Sequence, residues 1–200
     1  MAECAALEMR FACKGNGGSN PSLSVFILMN GVDELFSLIK KSRKMLFVLC
    51  GLPYSGKSFL SRRILKEAPC NYISIDKVLE EMRFDWNDNH LPDADGWKKA
   101  LGRIFFELEA GLSTGVNVLY DSTNHTKASR DELRDLSNRV GADIKIIYLK
   151  ASADLMRKRW AENKGTRERF VLDEKLLQIT IEALEPPQAD ESPLIIEIPD

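Results

Sequence analysis

The chain of 200 residues has little of what marks the specialised protein classes. Its longest uninterrupted apolar run is the six residues 45–50, far short of the roughly 18 that a membrane-spanning helix requires. The only earlier apolar stretch, 25–29, has no basic segment before it, so no secretory signal is expected and the chain reads as cytoplasmic. Cysteine is sparse: Cys4, Cys13, Cys50 and Cys70 form no C-x-x-C pair, and neither histidine stands at zinc-ligand spacing. A disulfide scaffold and a zinc module are both excluded, and reduced structural thiols are expected. Net charge is also small, −2 from 28 basic and 30 acidic residues, which excludes a surface that is basic all over. What is present in quantity is ordinary: 44% hydrophobic and 29% charged residues describe a folded domain rather than a disordered chain.

The charge that cancels overall is unevenly placed. Residues 150–170 carry +4 and residues 171–200 carry −7. At the other end, residues 1–24 mix glycine, proline and small residues without a period and read as a flexible leader. Val32, Leu35, Phe36 and Ile39 then fall at helical spacing and predict one short amphipathic helix over 31–41. The expected division is therefore an N-terminal extension, 1–44, followed by one domain, 45–200.

From Met45 onward, continuous apolar runs alternate with helical patterns. Strands are expected at 45–50, 72–75, 116–120, 144–149 and 194–198, and helices at 57–66, 77–83, 97–112, 128–140, 153–162 and 174–184. Strands that are apolar on both faces, separated by helices, predict an α/β fold with a parallel sheet covered on both sides. The stretch 85–96, rich in Asp and Asn, reads as a loop.

The most informative motif follows the first strand. Gly51-Leu-Pro53-Tyr54-Ser55-Gly56-Lys57-Ser58 fits G-x-x-x-x-G-K-[ST] and lies between an apolar strand and a helix, where the chemistry of that motif requires it. The glycines let successive N–H groups face phosphate oxygens, and the helix start adds partial positive charge. Lys57 is expected on the β and γ phosphates, and Ser58 on Mg²⁺. With Phe59, these residues form the expected ATP contact.

Ligands of open α/β sheets bind beyond the carboxyl ends of the strands, so acidic residues there are candidates. Asp121 is expected to face Mg²⁺ or its water, and Asp76 to accept the proton of a hydroxyl. Each has a plainer reading as a helix N-cap. Thr123 and Asn124, with Arg130 a turn further on, are expected around the acceptor, while His125 reads as a surface histidine. The basic block Arg157, Lys158, Arg159, Lys164, Arg167 and Arg169 predicts a lid over about 157–172, a helix, turn and helix built around Gly165. Its arginines would meet charge on a transferring phosphoryl group. A solvated helix face and a nucleic-acid contact are the competing readings.

Taken together, residues 45–184 resemble the P-loop kinases similar to the phage polynucleotide kinase domain and the zeta-toxin-like enzymes, many known only as AAA family ATPases or ATP-binding proteins. The resemblance rests on Gly51 to Ser58, Ser74-Ile-Asp76, Asp121-Ser-Thr-Asn124, Leu155-Met-Arg-Lys-Arg159 with Arg167, and Val171-Leu-Asp-Glu-Lys-Leu176. It implies the P-loop NTPase fold with a five-stranded parallel sheet ordered 2-3-1-4-5, ATP with Mg²⁺, and γ-phosphoryl transfer to a hydroxyl. It also implies Asp76 as the acceptor-activating base and Arg159 or Arg167 as the lid arginine. One position departs from the pattern: polynucleotide kinases carry an arginine three residues after that aspartate, and here it is Leu79. The expectation is thus an ATP-dependent kinase for a small-molecule or nucleic-acid hydroxyl, the latter not favoured. An ATP-hydrolysing switch module is the alternative. An AAA-type motor would need a further helical domain beyond the fifth strand, for which little chain follows.

Overall fold

The computed structural model describes residues 31–84, 92–166 and 171–199. Helix α1 (Val32–Lys41) leads into strand β1 (Met45–Cys50), followed by α2 (Lys57–Glu67), β2 (Asn71–Ser74), α3 (Ile75–Glu81) and α4 (Ala94–Ser113). Then come β3 (Val118–Asp121), α5 (Lys127–Val140), β4 (Asp143–Lys150), α6 (Ala153–Thr166), α7 (Glu174–Ala183), a 3₁₀ turn (Ala189–Glu191) and β5 (Leu194–Glu197). All four strand pairings are parallel, and the sheet order is β2-β3-β1-β4-β5. This is the 2-3-1-4-5 sheet of the P-loop NTPase fold.

The strands are apolar throughout because alternate residues serve two cores. On one face Phe47 and Leu49 of β1, Leu119 of β3 and Ile147 and Leu149 of β4 pack with α1, α2, α6 and α7. On the other, Leu46, Val48 and Cys50, Val118 and Tyr120, and Ile146 and Tyr148 pack with α3, α4 and α5. The same alternation decides the site: Asp121, two residues beyond Leu119, lies on the face that carries α2.

Two boundaries differ from expectation for identifiable reasons. The second strand stops at Ser74, because Ser74 pairs with Asp121 and β3 offers no further partner beyond it. Asp76 therefore sits in the first turn of α3, at neither a strand end nor the N-cap, which is Ser74. Strand β3 begins at Val118, where pairing with Leu46 starts, rather than at Val116.

Helix α1 is built into the core. Val32, Leu35, Phe36 and Ile39 are buried in the cluster that holds Phe47, Leu60, Leu194 and Ile196. The Asn117 side chain accepts from Met45 N at 3.2 Å and donates to Ile39 O at 3.0 Å and Ser42 O at 3.1 Å, tying the turn before β1 to the strand beside it. The division expected at Met45 runs through this packing. The leader 1–24 lies outside the described residues, as do Cys4 and Cys13, whereas Cys50 and Cys70 are free thiols. Among the described residues no helix is long and apolar enough to cross a membrane.

Candidate active site

The phosphate-binding loop joins β1 to α2 and is buried from Gly51 to Ser55. Its course needs residues at positive φ, with Gly51 at 150°, Tyr54 at 65° and Gly56 at 99°. A Cβ on Gly51 would stand 2.9 Å from Leu149 O and 3.2 Å from Ser55 Oγ, so the loop closes against β4 only with glycine there. The Lys57 ammonium lies across the loop, donating to Gly51 O at 2.9 Å and Leu52 O at 2.8 Å. Beneath it Ser55 Oγ is buried without a hydrogen-bond partner. A loop with an inward cation, an unsatisfied buried hydroxyl and the first N–H groups of α2 has the donor set that polyphosphate requires. Ser58 and Phe59 follow in the first turn of α2, both half-buried.

Asp121 closes the floor of this site. Its Oδ2 accepts from Ser61 Oγ at 2.7 Å and from Tyr72 Oη at 2.9 Å. Burial pushes its carboxyl above the ordinary 3.8, while the Ser61 hydroxyl, the Lys57 charge and the Tyr72 hydroxyl pull it back. A buried carboxylate held by two hydroxyl donors is chemically suited to a cation held mainly by phosphate and water, as Mg²⁺ is. Among the described residues no cluster of three or more His, Cys, Asp or Glu side chains forms an all-protein metal cage. Ser61 and Tyr72 were not singled out in the sequence. The signal was available: Ser61 lies one helical turn after Ser58, and Tyr72 shares the period-2 face of Ser74.

The Asp121-to-Thr126 segment also braces the phosphate loop. Gly51 N donates to Thr123 O at 3.1 Å, and Asn124 Nδ2 donates to Leu49 O at 2.7 Å, so the segment clamps the root of the phosphate loop. Thr123 and Asn124 are buried, at 1% and 5% exposure. Arg130, expected at the acceptor, is fully buried instead and committed to Glu191, with Nη1 donating to Asn124 O at 3.0 Å. A guanidinium so enclosed has no face left for a substrate. His125 is likewise buried, not at the surface, and burial with the Lys57 and Arg130 charges pushes its imidazole down to about 4. The Cys50 thiol, pushed up to about 12 by burial, donates to Asn124 O.

The basic segment and the residues after it meet the loop at Tyr54. Arg159 Nη1 donates to Tyr54 O at 3.0 Å, and Leu172 N donates to the Tyr54 hydroxyl at 3.3 Å. Trp160 Nε1 in turn donates to Leu172 O at 2.7 Å. Arg157 instead pairs with Asp154 and Gln178 at the surface, and Lys164 lies over the Trp160 ring. Helix α6 runs through Gly165, where the expected turn would have fallen. One glycine costs a helix about 1 kcal/mol, too little to end it. Arg167 and Arg169 lie outside the described residues, as do residues 85–91 of the expected loop. Asp93 caps α4 by accepting from Gly96 N, and Trp97 is buried in the core.

The sheet order, the loop after β1 and the carboxylate ending β3 define a P-loop NTPase fold. The model of the AAA domain family AAA_33 matches residues 46–187, and the chain belongs to that family. A curated relative, the protein KTI12 homolog of Arabidopsis thaliana, is 26% identical over 148 residues, covering 72% of this chain and 48% of its own. The chain thus spans about half the length of that relative. In fold the chain is similar to a gluconokinase from Sinorhizobium meliloti 1021, with a TM-score of 0.59 at 20% identity over 80% of this chain and 86% of that one. It is similar also to Chaetomium thermophilum Kti12 in complex with ADP-AlF3, with a TM-score of 0.57 at 19% identity over 76% and 88%.

Proposed function

We propose that the chain is a phosphotransferase that moves the γ-phosphoryl group of ATP to a hydroxyl acceptor. The observation that carries the reading is the Arg159 contact on Tyr54 O, which brings a cation from a separate helix onto the phosphate loop. Lys57 and the loop N–H groups bind and orient the phosphates, and Ser58 with Asp121 would hold Mg²⁺, which supplies charge neutralisation at the phosphates. Asp76 lies at the same sheet edge as Asp121, since Ser74 pairs with Asp121 and Asp76 follows two residues later. There it would take the acceptor proton. Arg159, and Arg167 with it, would meet the charge that spreads over the phosphoryl oxygens.

A phosphate-bearing nucleic-acid end is not the favoured acceptor. The position where polynucleotide kinases carry an arginine is Leu79, which is 1% exposed within the core. The acceptor is a hydroxyl compound read by other groups, and the protein acts in the cytoplasm.

The test is incubation of the purified chain with ATP, MgCl₂ and a metabolite extract, with phosphorylated products identified by mass spectrometry. A product formed by the wild type and not by Lys57→Ala is expected. Release of ADP with free phosphate alone, across all acceptors, overturns the reading and favours an ATP-hydrolysing switch module instead. The likeness to the KTI12 homolog, not itself named as a kinase, supports that second reading.

A further inference from the structure

We infer that Tyr72, together with Ser61, is a positioning residue that fixes the Asp121 carboxylate for the nucleotide-bound Mg²⁺. The inference rests on the proposed ATP and Mg²⁺ site and adds to it a residue that no phosphate-loop motif contains.

The geometry comes from strand alternation. Tyr72 pairs with Leu119 and Ser74 with Asp121 across β2 and β3, so Tyr72 and Asp121 are diagonal neighbours on one face of the sheet. That face carries α2, which brings Ser61 to the same carboxylate. The two hydroxyls converge on one oxygen, Oδ2, at 2.9 and 2.7 Å. A carboxylate bonded on one oxygen by a strand and by a helix has its plane set, and the other oxygen is the one left to serve an ion or its water. Ser61 Oγ also lies 3.0 Å from Lys57 O, so the same hydroxyl registers Asp121 against the start of the phosphate-binding helix. Outer partners of this kind orient a ligand and tune its affinity for metal without touching it.

The Tyr72 side chain meets the Asp121 carboxylate from the strand side. Its ring packs with the α1 and α2 core, and the side chain is only half-buried, so Phe fits the same space.

The test measures binding of a fluorescent ATP analogue by the full chain in EDTA and across a MgCl₂ titration. For Tyr72→Phe the Mg²⁺ concentration giving half the tightening is expected to rise about tenfold or more, with affinity in EDTA unchanged. Ser61→Ala is expected to act in the same direction and Ser61→Thr to restore the wild-type response. A folded Tyr72→Phe protein with a wild-type Mg²⁺ dependence overturns the inference. Should Tyr72→Phe fail to fold by circular dichroism, Ser61→Ala against Ser61→Thr decides in its place. If wild-type binding ignores Mg²⁺ altogether, the metal assignment in the proposed function fails. If only the variants match wild type, the positioning role fails alone.

Discussion

Arg130 and Glu191, 61 residues apart in the chain, form a solvent-excluded ion pair in which Nε donates to Oε2 at 2.6 Å and Nη2 to Oε1 at 2.9 Å. Arg130 also holds Asn124 O, so the pair braces the clamp under the phosphate loop from the far side of α5. The 3₁₀ turn is folded around the same carboxylate, whose Oε1 accepts from Gln188 N at 2.9 Å.

Breaking this pair leaves a buried charge without its partner. Arg130→Met is expected to lower stability by about 3–5 kcal/mol in urea unfolding, and the double variant Arg130→Met/Glu191→Met to recover much of that. Burial raises the Glu191 carboxyl, but the Arg130 and Gln188 hydrogen bonds outweigh it and leave the group below its ordinary 4.5. Its contribution is therefore complete above about pH 4.5 and is lost as pH falls through the lowered folded value. Equal stability of wild type and Arg130→Met at pH 7 would contradict this assignment.

His125 gives a second acid dependence at higher pH. Its ordinary value of 6.5 falls to about 4 on folding, so between those limits the unfolded chain takes up a proton that the folded one refuses. Stability is expected to decline as pH drops from 6.5 towards 4, by up to about 3 kcal/mol. Unfolding of His125→Gln across that range should show a shallower slope than wild type, and an identical slope would assign the titration elsewhere.

Arg159 touches the loop through Tyr54 O and is half-buried at the surface of α6. Arg159→Ala is expected to leave thermal unfolding nearly unchanged and to lower kcat on the order of a hundredfold, with the KM for ATP moving little. A loss confined to KM would make Arg159 a ground-state binding group.

Asp76 separates the two readings of its position. As a general base, its replacement in Asp76→Asn should cut acceptor-dependent transfer by about 10²–10⁴ while ATP still binds. As a first-turn carboxylate only, the same change should cost about 0.3–1 kcal/mol of stability and leave transfer intact. Steady-state product formation beside a thermal melt distinguishes them.

The sheet order and the phosphate loop were legible because they depend on local pattern: apolar strands with turns between them, and a motif of eight consecutive residues. The Asp121-to-Thr126 segment was harder. Its polar composition suggested substrate contacts, yet Asn124 and Arg130 serve backbone oxygens and Glu191, a residue from the acidic tail with no local cue to its partner. Tyr72 and Ser61 were hidden for a similar reason, since neither has meaning until β2 and α2 are brought to the same face of β3. Asp76 lies two residues beyond its strand, not one, because strand length is set by the neighbour's end and not by the strand's own residues.

The core contributed by α1 and β5 has a practical consequence. The family-matched stretch, 46–187, begins after α1 and stops before β5. A fragment cut to those limits would uncover Phe47, Leu49, Ile147 and Leu149 on one sheet face and leave β4 as an open edge. It would also remove Glu191 from Arg130 and the α1 carbonyls from Asn117. Such a fragment should aggregate on expression, and a soluble protein for any of these measurements has to retain residues 31–199.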